Sequence, residues 1–496
     1  MGVPQKQTMN EIAVVEMERQ EKTNDVHSKS KGFDIYSNTT IIIFLALSLV
    51  TLLILFDFQA LHTPTSSTSL KSWTFQKWEK LCKTNYDSGN YSSKLNEMTS
   101  KLRDSVTFLP LKDWRFKPRE GHTWFMSTIE DTIEDDEVEY LYFPSEVSKR
   151  RILCLSARDR RDGGNNFYGL AWPESLPTNA TFMEGLTYVS DTYYDYNNLF
   201  HAVTAMLPFV GWYKRKGCEK PSRWVLFHWG ELRTGMVTWL QKLMEATYED
   251  DLKLETFERG NGLLCFEKAV VMRHNMGRMG QEKKREAYDL MRCKARAFCN
   301  VSQPEKVLNI NGNRIPVIRL TLLMRKGPRS FKNESVVIQI FQRECEKVEG
   351  CKLTAVHSED LSFCDQVSLM SSTDIVASPH GAQLTNQVLM DRGSSVMEFF
   401  PRGWKELAGV GQFAHHWVAS ASGMRHEGAW WDQQGDNICP PAESDRCFKY
   451  FKGAQVGHNE TYFAEWSRRV INQVKTDKLD QGSIESPINS NICSCG

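Results

Sequence analysis

The chain is 496 residues long, 41% hydrophobic and 25% charged, which excludes a disordered or fibrous protein and leaves room for two or more domains. Its 61 Lys and Arg balance 61 Asp and Glu, so there is no global drive toward nucleic acid or an anionic membrane surface, and any anion site must be local.

Residues 1–38 read as a polar cytosolic tail. The stretch Thr39–Phe56, TTIIIFLALSLVTLLILF, follows with eighteen uncharged, mostly aliphatic residues, within the roughly 17 to 25 that a helix needs to cross a bilayer. A cleaved signal peptide would start near residue 1, so a transmembrane signal anchor is expected. Lys29 and Lys31 before it and Asp57 after it put the tail in the cytosol and the bulk of the chain on the lumenal or extracellular side. All 13 cysteines, from Cys82 to Cys495, lie after the span, as do Asn-x-Ser/Thr acceptors at Asn90, Asn179, Asn300, Asn333 and Asn459, in keeping with that side. The odd cysteine count leaves at least one unpaired, and free core thiols are the alternative to disulfides for others. No pair of Cys-x-x-Cys motifs occurs, so no zinc site is expected.

Residues 57–100, with their Ser, Thr and Pro, read as a flexible stem. The acidic run IEDTIEDDEVE (129–139) lacks the glycine-turn spacing of a calcium loop and reads as a solvated edge. Short aliphatic strands then alternate with helical stretches. The strands are RILCLSA near 151, RWVLFHW near 223, KAVVMR near 268, VIRLTLLMR near 317, KLTAVH near 352, DIVAS near 374 and SVMEFF near 395. Runs that are apolar throughout suggest burial on both faces, hence an α/β fold with parallel sheet covered by helices. Helices are expected at REAYDLMRCKARAF and at SVVIQIFQRECEKVE, where Val337, Ile340, Phe341 and Val348 share a face, and at YFAEWSRRVINQVK, with Phe463, Trp466, Val470 and Val474 on one stripe. The Pro- and Asn-containing segment 296–316 is a candidate hinge. It divides the body into 101–305 and 306–475, and 476–496 reads as a loose tail.

Three stretches carry chemistry. In DIVASPHGAQLTNQVLM (374–390) a strand meets a helix through a Pro-His-Gly turn, where Gly381 admits a close ligand and a helix N-terminus offers bare amides to an anion. In LTLLMRKGPRSFKNES (320–335) a strand runs into Arg325, Lys326 and Arg329; exposed loop cations are usually solvated, but two guanidiniums at a strand tip can clamp a diphosphate. In SDTYYDYNNLFHAVTAMLPFVGW (190–212), Asp191, Asp195, Asn198 and His201 lead into an apolar helix; His201 is either a hydrogen-bonded core residue or a general base.

The segments SPHGAQLTNQVLMDRGSSVMEFFP, RKGPRSFKNE and NNLFHAVT together resemble glycosyltransferase family 61, over most of 150–405. That family includes plant β-1,2-xylosyltransferases, grass xylan arabinosyl- and xylosyltransferases and animal O-linked N-acetylglucosaminyltransferases. The resemblance implies a type II membrane enzyme of the Golgi, or the ER, with a GT-B-like pair of Rossmann-type domains facing a cleft. It also implies an inverting transfer of xylose, arabinose or N-acetylglucosamine from a UDP-sugar to a glycan or polysaccharide hydroxyl, with no metal and no cofactor, and association with other Golgi transferases. The nucleotide-sugar would be held by Arg325, Arg329, His380, Gly381, Ala382, Thr385, Asn386 and Glu398, the last at the ribose or uracil. His201, then Asp195, would be the base, with Asn198 and Asp191 on the acceptor side. Asn90, Asn179, Asn300 and Asn459 would carry glycans, and Asn333, inside the nucleotide motif, would not. The family often has an acidic residue four positions after the upstream histidine, where this chain has Ala205; the alternative is therefore an inactive transferase-like scaffold. A sulfotransferase would show a Gly-rich phosphate loop, which is absent from the sequence.

Overall fold

The computed structural model describes residues 106–112, 136–137, 140–192, 195–258, 262–273, 279–302, 307–310, 313–433 and 444–481, with Glu97 and Cys493. The apolar stretch 39–56, the stem 57–100 as a folded element, Asn90 and nearly all of the acidic run lie outside them. Among the described residues no helix is long and apolar enough to cross a membrane. Val106–Gly496 fall within one compact unit, which contains two main sheets.

The first sheet uses β1 (Leu109–Pro110), β2 (Tyr140–Phe143), β3 (Ile152–Ser156), β4 (Phe167–Ala171), β5 (Ala180–Thr192), β6 (Arg223–His228), β7 (Glu231–Arg233) and β8 (Leu263–Arg273). Their order is β1-β4-β3-β8-β5-β6-β7, with β2 also on β8. Only β6-β5-β8 is parallel; the other pairs are antiparallel. The first sheet is thus mixed, not the parallel one expected. The reason is local: antiparallel neighbours need only a short connection, and β6 turns into β7 through Trp229 and Gly230, both at positive φ (56° and 72°), as a two-residue hairpin demands. Three helices cover the parallel centre: α1 (Leu199–Arg215), α2 (Thr238–Tyr248) and α3 (Gln281–Phe298).

The candidate hinge is occupied in part by a small hairpin, β9 (Val307–Ile310) with β10 (Asn313–Pro316). The second sheet follows: β11 (Ile318–Met324), β12 (Cys351–His357), β13 (Ile375–Pro379), β14 (Ser395–Phe400) and β15 (Arg425–Trp431). All its pairs are parallel, in the order β12-β11-β13-β14-β15. Numbered by appearance this is 2-1-3-4-5, a doubly wound order whose direction reverses between β11 and β13, where open α/β sheets hold their ligands. Its helices are α4 (Glu334–Glu346), α5 (Phe363–Ser372), α6 (Trp404–Leu407), α7 (Ala414–Ala421), α8 (Ser444–Gly453) and α9 (Glu460–Gln481). The stripes expected on α4 and α9 are both buried and meet across Phe341, Phe399 and Phe463. Beyond residue 476, α9 continues to Gln481, and Cys493 is bonded to Cys293.

One apolar core runs from α1 and α3 to Leu384, Val388 and Val418 of the second half. Helix α3 pins the halves with polar groups too: Arg292 donates to the Val388 and Ser422 carbonyls, and Arg296 to Leu389 and Ser371. Cys299 at its end is bonded to Cys364 in α5. Cys154–Cys265 and Cys345–Cys351 are further pairs, Cys218 and Cys447 are disulfide-bonded as well, and so is every described cysteine, so the alternative of free core thiols falls away for these. Asp289 neutralises Arg292 at 2.6 Å, both buried, and also pairs with Arg392. Asp289→Ala would leave a buried guanidinium uncompensated, and urea unfolding of the full chain should show a loss of about 3–5 kcal/mol.

Candidate functional site

The reversal between β11 and β13 gathers the two strand tips that the sequence singled out. Arg325 follows the last residue of β11, and His380 and Gly381 follow β13. The Arg325 guanidinium lies on Gly381: a Cβ built there would sit 2.0 Å from Nη1 of Arg325 and 2.4 Å from Oε1 of Gln383. Nη1 donates to that same Gln383 oxygen at 2.9 Å, while Gln383 Nε2 donates to the Pro379 carbonyl at 2.6 Å. Gly381 is needed for the close approach, since its own backbone is extended, with φ 165°.

Arg329 lies four residues on, in a left-handed conformation with φ 63° that few non-glycine residues adopt and that marks functional sites when the surroundings enforce it. Its amide donates to the Ala454 carbonyl at 3.0 Å, and its guanidinium carbon stands 5.6 Å from the Trp404 ring. Burial, and then the positive charge of Arg325, lower the Arg329 guanidinium to about 10. Burial likewise lowers Arg325, against the pull of Glu359. Nε of each arginine is buried without a partner, and neither guanidinium has an ion-pair partner among the described residues. Partly buried charge of one sign without an ion-pair partner suits an anion. Lys326, by contrast, is exposed and paired with Asp360.

Next to the tips lies a polar network centred on Glu398. Glu398 of β14 is completely buried; His380 Nδ1 donates to one oxygen at 2.6 Å and His426 Nε2 to the other at 3.0 Å. Burial opposes its ionisation, but the bonds from His380 and His426 hold the carboxyl well below the usual range. His380 stacks on Phe400 at 4.5 Å. His415 in α7 accepts from Gln387 at 3.0 Å and also bonds the Gly381 backbone, and burial lowers it to about 3. His380, Glu398 and His415 offer donor atoms within 4.8 Å of one another, a spacing open to a cation, yet Glu398 and His415 already spend theirs on protein hydrogen bonds. Completely buried beneath His380 and His426, Glu398 is out of reach of the ribose or uracil expected of it and acts through those two imidazoles.

The 3-10 helix Ala382–Leu389 replaces the α-helix expected after Gly381, so the site owes its charge to arginines, not to a helix dipole. Ala382 is half-buried, whereas Thr385 and Asn386 are buried within that turn.

Across from these tips stands the first turn of α1, beyond the carboxyl end of β5. Phe200 meets the His415 ring at 5.7 Å, and His415 meets His380 at 5.4 Å, which brings the neighbouring His201 toward the second half. Burial lowers His201 to about 4; Asp195 opposes this and Lys452 of α8 adds to it. Asn198 is committed to capping α1, accepting from the Phe200 amide at 3.1 Å and the His201 amide at 3.5 Å. Asp191 is buried at the end of β5, where it accepts from the Gly230 amide at 3.2 Å. Ala205 faces the apolar core. Asn179, Asn300, Asn333 and Asn459 are exposed, and Asn333 begins α4 near Arg329. The sequence reading missed Gln383, Trp404, His415, His426 and Lys452; FAHHWV and KYFKGA bear no motif, and only chain folding brings them to the arginines.

Residues 185–397 match the sequence profile of the Glycosyltransferase 61 family. The chain carries a glycosyltransferase 61 domain. Human protein O-linked-mannose beta-1,4-N-acetylglucosaminyltransferase 2 is 27% identical over 185 residues, 34% of this chain and 31% of its own. The mouse protein of that name is 32% identical over 140 residues, 26% of this chain and 23% of its own. The chain thus spans about a third of the length of the curated relatives it matches. Among solved structures, a rubredoxin oxygen:oxidoreductase from Desulfovibrio gigas aligns with 70% of this chain and 69% of its own at 9% identity and a TM-score of 0.20, too loose to bear on the fold. The glycosyltransferase 61 domain holds β11 to β13 entire, with Arg325, Arg329, His380 and Gly381, and takes in α1 with His201.

Gly381→Ala should displace the Arg325 guanidinium while leaving the fold intact, because a flexible side-chain end can yield. The expected result is a melting temperature unchanged within a few degrees and about a tenfold loss of affinity for inorganic pyrophosphate, read by calorimetry.

Proposed function

We propose that the chain is an inverting, metal-independent glycosyltransferase that moves a sugar from a UDP-sugar to a glycan or polysaccharide hydroxyl. The observation that carries this reading is the pair of partly buried guanidiniums, Arg325 and Arg329, with no ion-pair partner among the described residues, at the reversal of a 2-1-3-4-5 sheet. They suit the diphosphate, before and after the glycosidic bond breaks, and supply charge that a divalent cation supplies in metal-dependent transferases. Gly381 and Ala382 adjoin Arg325, and His380 before them is held in orientation by Glu398. The two sheets would serve as the halves of a GT-B-like cleft, the first for the acceptor and the second for the donor.

Inversion needs one base opposite the leaving group. His201 fits, because burial keeps the imidazole neutral down to about pH 4, and Asp195 beside it favours the imidazolium that forms on proton transfer. The names of the relatives favour N-acetylglucosamine over xylose or arabinose as the sugar. The disulfides, formed in oxidising compartments, and the apolar stretch 39–56 support a single-pass type II protein of the Golgi membrane. A catalytically inactive scaffold is the second reading, favoured by Ala205: an apolar core surrounds the position where an acidic residue is frequent.

UDP release by the full chain with UDP-N-acetylglucosamine, UDP-xylose and UDP-arabinose, against mannosyl and xylan acceptors, tests the reading. UDP binding without turnover on any donor favours the scaffold; no UDP binding removes both. Arg325→Ala should lower kcat/KM about 10²- to 10³-fold, as loss of one transition-state donor does. His201→Ala should lower kcat about 10²- to 10⁴-fold with UDP affinity within a factor of about three. For the wild-type chain, a base lowered by burial remains neutral as pH falls from 7 to 5 and is protonated only near 4. The acid limb of kcat should therefore lie near pH 4 and not near the ordinary histidine value of about 6.5; a limb at 6 to 7 would remove His201 from this role.

A further inference from the structure

A third cation, the exposed Lys452, is linked to the arginines and has no assignment so far. Lys452, the penultimate residue of α8, is far in sequence from Arg325 and Arg329, and main-chain pairing brings it to them. The Arg329 amide donates to the Ala454 carbonyl at 3.0 Å, the Val456 amide to Ser330 at 2.8 Å, and the Lys332 amide to Val456 at 2.8 Å. Gln455 Nε2 adds a bond to Ser330 Oγ at 3.1 Å. The side chains repeat the link. Arg329 lies 5.6 Å from the Trp404 ring, Trp404 meets Phe448 edge-on at 5.0 Å, and Lys452 Nζ stands 5.4 Å from Phe448. An aromatic pair thus carries one cation at each end. Lys452 has no ion-pair partner among the described residues, and its charge acts on Arg329 on one side and on His201 on the other.

A charge count separates the roles, if the sugar-transfer reading holds. The diphosphate of an intact UDP-sugar carries roughly two negative charges, and departing UDP gains up to one more, because a terminal phosphate ionises a second time near pH 6. Two guanidiniums match the bound donor. We propose that Lys452 is a catalytic residue that meets the charge appearing on the leaving phosphate, and contributes little to binding the intact donor. In the step, the acceptor oxygen forms its bond to the anomeric carbon as the bond from that carbon to the β-phosphate oxygen breaks. The electron pair stays on that oxygen, toward Lys452, and the acceptor proton passes to His201. A compact ammonium on a flexible stem can follow the receding oxygen, which a fixed guanidinium fork does less well.

The experiment compares the full wild-type chain with Lys452→Met and Lys452→Arg, after equal melting temperatures establish folding. Calorimetry gives affinities for UDP and for the three UDP-sugars named above; steady-state kinetics give kcat and KM. The expected result for Lys452→Met is donor affinity within a factor of about three, UDP affinity down about tenfold, and kcat down about 10²-fold, with Lys452→Arg recovering most of the loss. Equal losses of donor and UDP affinity with kcat preserved would overturn the assignment, as would an unchanged variant in a chain that turns over donor. A wild-type chain that binds neither UDP nor any donor would instead overturn the sugar-transfer reading itself, and the Lys452 role with it.

Discussion

Two partly buried guanidiniums in the loop after β11, with no ion-pair partner among the described residues, are the constraint on which the rest of the second half depends. Burying a guanidinium beside another is unfavourable unless something opposes the repulsion, and here Glu359 draws on Arg325 without forming an ion pair with it. The surroundings hold the charges in place regardless. Parallel register sets β11 beside β13, Gly381 leaves room for Arg325, Trp404 lies under Arg329, and main-chain bonds from residues 454–456 lock the loop from Arg329 to Lys332. The architecture accepts a cost that an arriving anion would relieve.

The histidines next to this charge follow the opposite rule. Glu398, His426 and His415 have their polar atoms matched inside the protein, and the buried carboxylate stays ionised because two imidazoles donate to it. Buried polar groups bonded to one another in this way rigidify a site. His380 belongs to both zones, anchored by Nδ1 in the network and placed at the crevice by its turn. The contrast between satisfied and unsatisfied polar groups a few ångströms apart is what separates scaffold from binding surface in this crevice.

The two halves cannot be treated as independent here. The core is continuous through α1 and α3, Arg292 and Arg296 bond carbonyls of the second half, and Cys299 is tied to Cys364. The first turn of α1 reaches the donor-side tips through the contact of Phe200 with His415. The turn of α1 that holds His201 and the loop that holds Arg325 and Arg329 are thereby joined through one core.

Much of this was legible in the sequence, for physical reasons. The seven apolar runs are strands, most of them because strands buried on both faces admit only apolar residues, although β12 (KLTAVH) is a half-exposed edge strand, and the stripes on α4 and α9 are buried because helical spacing puts them on one side. Arg325, Arg329, His380 and Gly381 stood out because basic and glycine residues directly after apolar runs fall at strand tips. The antiparallel rim of the first sheet was not legible, since β2 and β4 are only four and five residues long, and β5 is interrupted by a bulge at Gly185. Nor could local pattern reveal that Glu398 is occupied by two histidines, that Asn198 is a helix cap, or that Lys452 and Trp404 join the arginines. Local sequence determined which segments are strands and which turns carry charge; the tertiary structure alone decided which charges meet and which are neutralised, because that depends on residues up to a hundred or more positions apart brought together by strand order.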